Sequence, residues 1–367
     1  MCFIMCNQKS HNDGTIFVDF DHPEKASLFD YFSSIELIPL ETSPDVLIAA
    51  IGKIIVHKDI YYALDPTQSI IFVFDQTGKF LFKINKKGQG TGEYLYIQDF
   101  NINPFSGKLE LLEPSGKVYR YDLLGNYTET KQVAFSGFRA AHQFAAIDSS
   151  VYLFYSLFQP KKILYFNLDE GKLLHEEFEE NRNLGMFSTN NLYHYQDNWY
   201  IFRPVHPVVY KAGKEQLEVF FQFDFGKYTR EGKKATFSKE GERILTKAIE
   251  ELFAQFPYLI QAVRHNNKYV FVSLSLRDLN NKSNIIYDKS TGKSKFILDF
   301  AEKVEFNSYR GEDIIVTDEY VLMPSRWIDL EKRIKKEMLD DKNKEIYEKI
   351  LEAEMELNPI LIKYYFK

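Results

Sequence analysis

Short apolar runs separated by turn residues make up most of this chain. At five places an apolar run ends in an aromatic residue, and a turn glycine follows within a few positions. The aromatic residues are Phe74, Tyr121, Phe166, Tyr210 and Tyr287, so successive repeats are 47, 45, 44 and 77 residues apart. A period in the forties with several short strands per repeat is typical of a β-propeller.

Paired apolar runs predict five hairpins and one incomplete unit. The hairpins span residues 70–84, 108–121, 151–166, 199–210 and 269–287. Residues 314–316 and 320–323 are a last apolar pair without a partner hairpin. We expect this pair to complete a sixth blade with an N-terminal strand at 35–40, because ring closure removes exposed sheet edges.

Two stretches have helical periodicity. The long 77-residue step contains apolar residues at helical spacing, which predicts an amphipathic helical insertion at about 240–256. A second stretch at about 329–356 is dense in Lys and Glu and predicts a C-terminal helix with a solvated face, followed by Pro359 and a terminal strand at 360–366. The predicted fold class is therefore all-β: a six-bladed β-propeller with a helical insertion and a C-terminal helix.

Composition agrees with a β-sheet protein and argues against some partners. Of the 367 residues, 16% are aromatic, mostly Phe and Tyr, which favour half-buried pleated surfaces. A net charge of −6 without a basic patch argues against nucleic acid as a partner. No apolar run reaches the roughly 18 residues that span a bilayer.

The two cysteines, Cys2 and Cys6, both lie near the N-terminus, so we expect no disulfide and no thiolate metal site in the body of the protein. They are either incidental thiols in a tail or the remainder of a bacterial lipoprotein signal that is lipidated on Cys6. The basic start and the apolar stretch of about 7–15 residues that a signal requires are both incomplete here. Residues 1–30 are predicted as a tether or truncated signal, and 31–367 as the propeller.

A glycine-rich segment carries a family resemblance. Residues 87–94, KGQGTGEY, resemble the GxGxGPGEY loop of six-bladed β-propeller proteins of Bacteroides and relatives, which are similar to NHL-repeat and TolB-like propellers. Thr91 replaces the usual proline of that loop. The spacing matches neither a dinucleotide fingerprint nor a P-loop. Gly88, Gly90, Gly92 and Glu93 are therefore predicted to form a tight turn between blades, with Glu93 bonded to backbone N–H groups.

The resemblance extends over about residues 30–367, including the opening at 38–41 and Asn358-Pro359 before the closing strand. Members of that family are usually lipoproteins, so it implies lipidation of Cys6 and an envelope location facing the periplasm or the cell surface. A chain complete as given would instead be cytoplasmic. No activity is established for the family as a whole.

Sequence motifs for catalysis are lacking. The eight histidines are scattered, with no HExxH, and no GxSxG motif is present. Asp65, Asp75, Asp99 and Asp122 lie at strand ends or turns, where aspartate ordinarily forms Asx turns. We predict no metal site and no cofactor.

Seven residues are candidates for a ligand site at the propeller axis, because each is a cationic, imidazole or aromatic side chain at the edge of an apolar strand. They are Arg203, His206, Arg264, His265, Arg277, Arg326 and Trp327. Arginine and aromatic side chains together suit an anionic or carbohydrate ligand.

Two functional hypotheses follow. The favoured one is a non-catalytic binding propeller of the bacterial cell envelope, with a glycan or an envelope protein as partner and membrane contact only through a lipid anchor. The alternative is a propeller enzyme, a lyase or hydrolase, with an axial Arg/His or metal site. His, Asp or Glu side chains gathered in one channel mouth would favour the enzyme, and propellers host both kinds of function.

Overall fold

The structure, a computed structural model, describes residues 14–179, 190–230, 233, 235–241, 243–307, 314–353 and 356–367. These residues form six sheets, each built around four antiparallel strands. The sheets are the blades of a six-bladed β-propeller, as predicted.

Two strands precede the first complete blade, β1 (Thr15–Phe17) and β2 (Phe32–Pro39). Each of the first five blades then consists of four consecutive strands. Blades one and two contain β3 (Lys53–His57), β4 (Ile60–Asp65), β5 (Ile70–Phe74), β6 (Phe80–Ile84), β7 (Asp99–Ile102), β8 (Leu109–Leu112), β9 (Lys117–Tyr121) and β10 (Tyr127–Gln132). Blades three and four contain β11 (Gln143–Ala146), β12 (Val151–Tyr155), β13 (Lys161–Asn167), β14 (Lys172–Glu179), β15 (Leu192–Tyr195), β16 (Asn198–Phe202), β17 (Val208–Ala212) and β18 (Leu217–Asp224).

The insertion helix α1 (Leu245–Gln255) lies between the fourth and fifth blades, as predicted. It buries Ala248 and Leu252 against Val205 of the fourth blade and Leu259 of the fifth. The fifth blade contains β19 (Tyr258–His265), β20 (Tyr269–Leu276), β21 (Lys282–Asp288) and β22 (Lys293–Ile297).

The sixth blade closes the ring with strands from both ends of the described chain. Its members are β23 (Ile315–Val316), β24 (Tyr320–Ser325), β25 (Ile360–Phe366) and β2, in the order β23-β24-β25-β2. The C-terminal strand thus lies between β24 and the N-terminal strand, with Leu37 opposite Ile362. The predicted closure by an N-terminal strand is confirmed.

The predicted C-terminal helical stretch is present but divided. It contains α2 (Leu330–Arg333), α3 (Asp341–Leu351) and two three-residue helical turns, Trp327–Asp329 and Lys336–Met338. Ile334 and Leu339 adopt extended backbone angles and are buried against the fifth and sixth blades. Burial of these side chains therefore interrupts the helix.

Phenylalanine and tyrosine fill the spaces between blades. Each interface between neighbouring blades contains its own cluster of buried side chains. Between blades two and three, for example, the rings of Phe144, Tyr152 and Phe154 lie with centroids 6.1–6.4 Å apart. The high aromatic content therefore stabilises the radial arrangement of the sheets.

Residues 14–30 contact the propeller, although their polar composition predicted a tether. β1 pairs in parallel with β18 as a fifth strand of the fourth blade, and Ile16 and Val18 are buried there. The chain then crosses the fifth blade, where Glu24 N–H donates to Phe296 O. A tether remains a prediction for residues 1–13 alone, which lie outside the described residues, as does Cys6.

Candidate functional site

A cavity of about 170 Å³ lies on the propeller axis. Its walls come from the first strands of five blades, β3, β7, β15, β19 and β23, and from Trp199 in β16. Most of the wall is isoleucine, valine and leucine. The polar or aromatic contributors are Lys53, Asn101, Tyr193, His194, Trp199 and Arg264.

The cavity is nearer to one end of the axis. Asn101, Ile102 and Pro104 belong to the carboxyl end of β7 and the turn after it. His194 and Trp199 flank the turn between β15 and β16. The cavity therefore lies toward the face of the propeller where the first strand of each blade turns into the second.

Lys53 is anchored in the wall by two partners. Its Nζ donates to Asp99 Oδ1 at 2.8 Å and to Asn101 Oδ1 at 2.9 Å. Asp99 Oδ2 also accepts from Phe144 N–H at 3.1 Å. Burial raises the pKa of the Asp99 carboxyl, while the Lys53 ammonium acts in the opposite direction. Asp99 therefore joins three blades through buried contacts instead of forming the predicted Asx turn. Asp65, Asp75 and Asp122 do form Asx turns, as predicted.

Trp199 and His194 lie together in the opposite wall, with ring centroids 4.9 Å apart. Trp199 is 8% exposed, and within the described chain its Nε1 has no hydrogen-bond acceptor. His194 is exposed to solvent at the edge of the cavity. Partial desolvation by the surrounding groups nevertheless lowers its pKa, the charge of Lys53 lowers it further, and Asp197 opposes both. The imidazole of His194 is therefore neutral at pH 7.

Of the seven residues predicted as ligand-site candidates, Arg264 lines the cavity. Its guanidinium carbon lies 4.9 Å from the ring centroid of Tyr193, and Nε donates to Ile314 O at 2.8 Å. Nη1 donates to Val263 O at 2.8 Å. These contacts fix the side chain against the fourth, fifth and sixth blades.

His265, the neighbour of Arg264, is a core residue between the fourth and fifth blades. Both residues lie at the end of β19, just ahead of β20. His265 is 2% exposed, and its Nδ1 lies 2.9 Å from Tyr193 OH. Aromatic rings surround it, and burial lowers its pKa to about 3. It therefore contributes packing rather than a surface for ligand.

The other five candidates lie in loops that follow second strands, at the opposite end of the blades from the cavity. The Arg203 guanidinium carbon is 4.0 Å from the ring centroid of Phe178, and His206 is buried in the same loop. Arg277 is exposed after β20. Arg326 pairs with Asp329, and Trp327 begins the helical turn there. These residues belong to three blades and none lines the cavity, so the structure does not bring the seven candidates together.

The glycine-rich segment forms the connection between the first and second blades. Gly90 N–H donates to Glu93 Oε2 at 2.8 Å, and Glu93 N–H donates back to Gly90 O at 3.1 Å. Gly88 N–H donates to Tyr94 O at 3.0 Å, and Gly92 has a φ of +74°. The geometry is the tight turn that the sequence predicted.

Within the described ranges, no three His, Cys, Asp or Glu side chains are grouped as ligands of a metal ion would be. None of the helices in those ranges is both long enough and apolar enough to cross a membrane.

The six blades and the axial cavity define the class of protein as a six-bladed β-propeller. The chain belongs to the family called domain of unknown function DUF4934, whose profile matches residues 14–365. No curated protein has a significant sequence match to the chain.

Two solved structures from Bacteroides are similar in fold. A Bacteroides fragilis NCTC 9343 protein named "putative exported protein" superposes with a TM-score of 0.70 at 18% identity, covering 96% of this chain and 99% of its own. A member of the DUF4221 family from Bacteroides vulgatus ATCC 8482 superposes with a TM-score of 0.56 at 10% identity, covering 92% and 97%. At these identities the likeness shows a shared fold.

Proposed function

We propose that this protein is a non-catalytic, ligand-binding β-propeller of the bacterial cell envelope, and that the axial cavity is its ligand site. The observation that carries the proposal is the composition of that cavity. Apolar walls surround a few polar side chains, Lys53, Asn101, His194 and Arg264. Ligand pockets in proteins combine an apolar lining with a few fixed polar groups in this way.

Asp99 supports binding over catalysis. A general acid or base needs a carboxyl group that can exchange a proton with a bound substrate. The Asp99 carboxylate is instead held by the Lys53 ammonium and by backbone N–H groups of Phe100 and Phe144. Its contacts are those of a structural ion pair that fixes the position of Lys53.

Envelope location and lipidation of Cys6 belong to the same proposal. The envelope location is supported by the similarity in fold to a Bacteroides protein named as exported. Cell fractionation tests them: the native chain should sediment with membranes, and Cys6→Ser should release it. The proposed binding partner is a glycan or a protein of the envelope. Native chain in the soluble cytoplasmic fraction would contradict the location.

A thermal-shift screen of the full chain tests the ligand site. The probes are short organic acids, amino acids and mono- and disaccharides. A ligand at about 100 times its dissociation constant stabilises the folded state by about 2.7 kcal/mol. Val56→Trp, which fills the cavity from β3, should abolish the shift, and Val219→Trp, at an exposed position of β18, should leave it unchanged. A shift that persists in Val56→Trp would contradict the axial site.

A further inference from the structure

The charged side chains of the cavity wall already have partners within the protein. Lys53 Nζ donates to Asp99 and Asn101, and the Lys53 side chain is 13% exposed. Arg264 donates to two backbone oxygens, and the residue is 6% exposed. Both cations are therefore held within the wall, so little of either side chain is accessible from the cavity.

The neutral polar groups of the wall are engaged in the same way. Asn101 Oδ1 accepts from Lys53, and its Nδ2 group donates to a backbone oxygen of the third blade. Tyr193 OH lies 2.9 Å from His265 Nδ1. The Nε1 atom of Trp199 is fully buried, so the indole contacts the cavity through ring carbons. A charged occupant would therefore lose its hydration and gain few hydrogen bonds in return.

His194 differs from these groups because it is exposed at the edge of the cavity. Its imidazole is neutral at pH 7, as described above. A neutral imidazole has one donor and one acceptor, so it can form a hydrogen bond with a hydroxyl or a carbonyl group. It has no charge with which to pair an ion. This edge therefore suits a single neutral polar group.

The accessible part of the wall is largely aliphatic. Ile55 and Val56 of β3, Ile102 of β7 and Ile315 of β23 line the cavity, and each is partly exposed. They belong to three neighbouring blades and form an apolar surface along one side, with Trp199 in the opposite wall. The volume of about 170 Å³ is comparable with the roughly 150 Å³ of an apolar cavity that holds benzene. The cavity therefore has room for one six-membered ring.

We propose that the axial cavity binds a small neutral molecule with a hydrocarbon body the size of one six-membered ring and at most one polar group. The hydrocarbon lies against the isoleucine and valine wall, and the polar group lies at the His194 edge. Removal of apolar surface from water drives binding, whereas burial of an unpaired charge opposes it. The inference rests on the proposed function and adds the chemical class of the ligand.

Isothermal titration calorimetry of the full chain with three ring compounds of similar size tests the ligand class. At pH 7 benzyl alcohol is neutral, benzoate is an anion and benzylammonium is a cation. Benzyl alcohol should bind saturably, and both ions should bind at least about tenfold more weakly, because their charges lose hydration without a compensating partner. The binding enthalpy of benzyl alcohol should become more negative as temperature rises, which is the heat-capacity signature of apolar burial.

Two substitutions of Val56 locate the bound compound. Val56→Thr keeps the shape of the side chain and places a hydroxyl on the apolar wall, so it should weaken benzyl alcohol binding about threefold. Val56→Trp fills the cavity and should abolish binding. Val219→Thr is the control, because Val219 is an exposed residue of β18, and it should leave the affinity unchanged.

The outcomes separate the ligand class from the ligand site. Benzoate or benzylammonium binding as tightly as benzyl alcohol, and lost in Val56→Trp, would overturn the neutral class and leave the axial site standing. Native affinity for benzyl alcohol in Val56→Thr and in a folded Val56→Trp protein would place the compound elsewhere and overturn the inference. If none of the three compounds binds, the inference fails, and the wider thermal-shift screen decides the function separately.

Discussion

Gly92 occupies a position that other residues fit poorly. Its φ is +74°, and a Cβ there would lie 2.5 Å from the ring of Tyr127. Gly92→Ala should therefore destabilise the protein by about 3 kcal/mol, from backbone strain and overpacking together. Gly107→Ala is the control, because Gly107 has a φ of +65° with no atom near the added carbon, and it should cost about 1 kcal/mol. Urea unfolding measures both, and equal losses would contradict the ring contact.

His265 makes stability depend on pH. Burial is the main reason why its pKa falls to about 3, and Lys289 and Arg264 add to the effect. The unfolded chain, with a histidine pKa near 6.5, therefore binds the proton first as pH falls. Between about pH 6.5 and 3 the free energy of unfolding loses about 1.4 kcal/mol per pH unit from this group.

His265→Gln should remove that contribution. The loss of stability between pH 7 and pH 5, measured by urea unfolding, should shrink by about 2 kcal/mol relative to the native protein. His22→Gln is the control, and it should not reduce this loss of stability. His22 is exposed, and its pairing with Asp19 raises its pKa instead of lowering it. An unchanged pH profile in His265→Gln would show that the buried imidazole is not the titrating group.

At the scale of elements, second and third strands could be predicted because both of their faces are buried. Ile70–Phe74 and Val151–Tyr155 are continuous apolar runs, and each packs between two neighbouring blades. The five aromatic residues that set the period all lie in third strands. The glycine turns after them lead into fourth strands, so the hairpin pattern located the blades.

First strands could not be predicted in four of the blades. Asp99–Ile102, Gln143–Ala146 and Leu192–Tyr195 have only four residues each, and polar side chains interrupt them. Tyr258–His265 is longer, but it follows the insertion and was not recognised as a strand. Three of these strands, β7, β15 and β19, line the axial cavity, so the sequence analysis missed Asn101 and His194 as site residues. It also missed Lys53 in β3 and Trp199 in β16. A polar residue within a short apolar run was the available signal.

Strand β1 attaches the N-terminal segment to the fourth blade. Ile16 is 4% exposed in the interface between the fourth and fifth blades, while its neighbour Phe17 is 60% exposed. Ile16→Asp should destabilise the protein by about 3 kcal/mol, because it buries an unpaired charge. Phe17→Asp should cost less than about 1 kcal/mol. Thermal unfolding compares them, and equal losses would mean that β1 is not docked as described.

At the scale of the whole molecule, one asparagine links the closing strand to the first blade. Asn358 donates from Nδ2 to the backbone oxygens of Glu41 and Val46, each at 2.7 Å. Its Oδ1 accepts from Ile48 N–H at 2.8 Å. The acceptors and the donor belong to the connection between the sixth and first blades, so this side chain joins the two ends of the ring.

Loss of that link should weaken the entire propeller. Asn358→Ala leaves the buried Ile48 N–H without its partner and removes one hydrogen bond each from Val46 O and Glu41 O, so it should lower the free energy of unfolding by about 3 kcal/mol. Asn280→Ala, at an exposed loop position, should change it by less than about 0.5 kcal/mol. Denaturant unfolding followed by circular dichroism provides the comparison. A loss below about 1 kcal/mol for Asn358→Ala would contradict its role in closure.

The ring also explains why the seven predicted site residues are dispersed. A residue at one end of a strand faces one side of the propeller, and a residue at the other end faces the opposite side. Arg264 lies near the carboxyl end of a first strand, whereas Arg277 and Arg326 follow second strands. Position beside a strand therefore did not specify which face, or which distance from the axis, a side chain would occupy.

A crystal structure of the full chain grown with a compound that shifts its melting temperature tests the central claim most directly. We predict density for that compound in the axial cavity, in contact with the side chains of Lys53, His194 or Arg264. The same compound bound elsewhere, or a cavity that contains only water at a concentration that shifts the melting temperature, would contradict the assignment of the axial cavity as the ligand site.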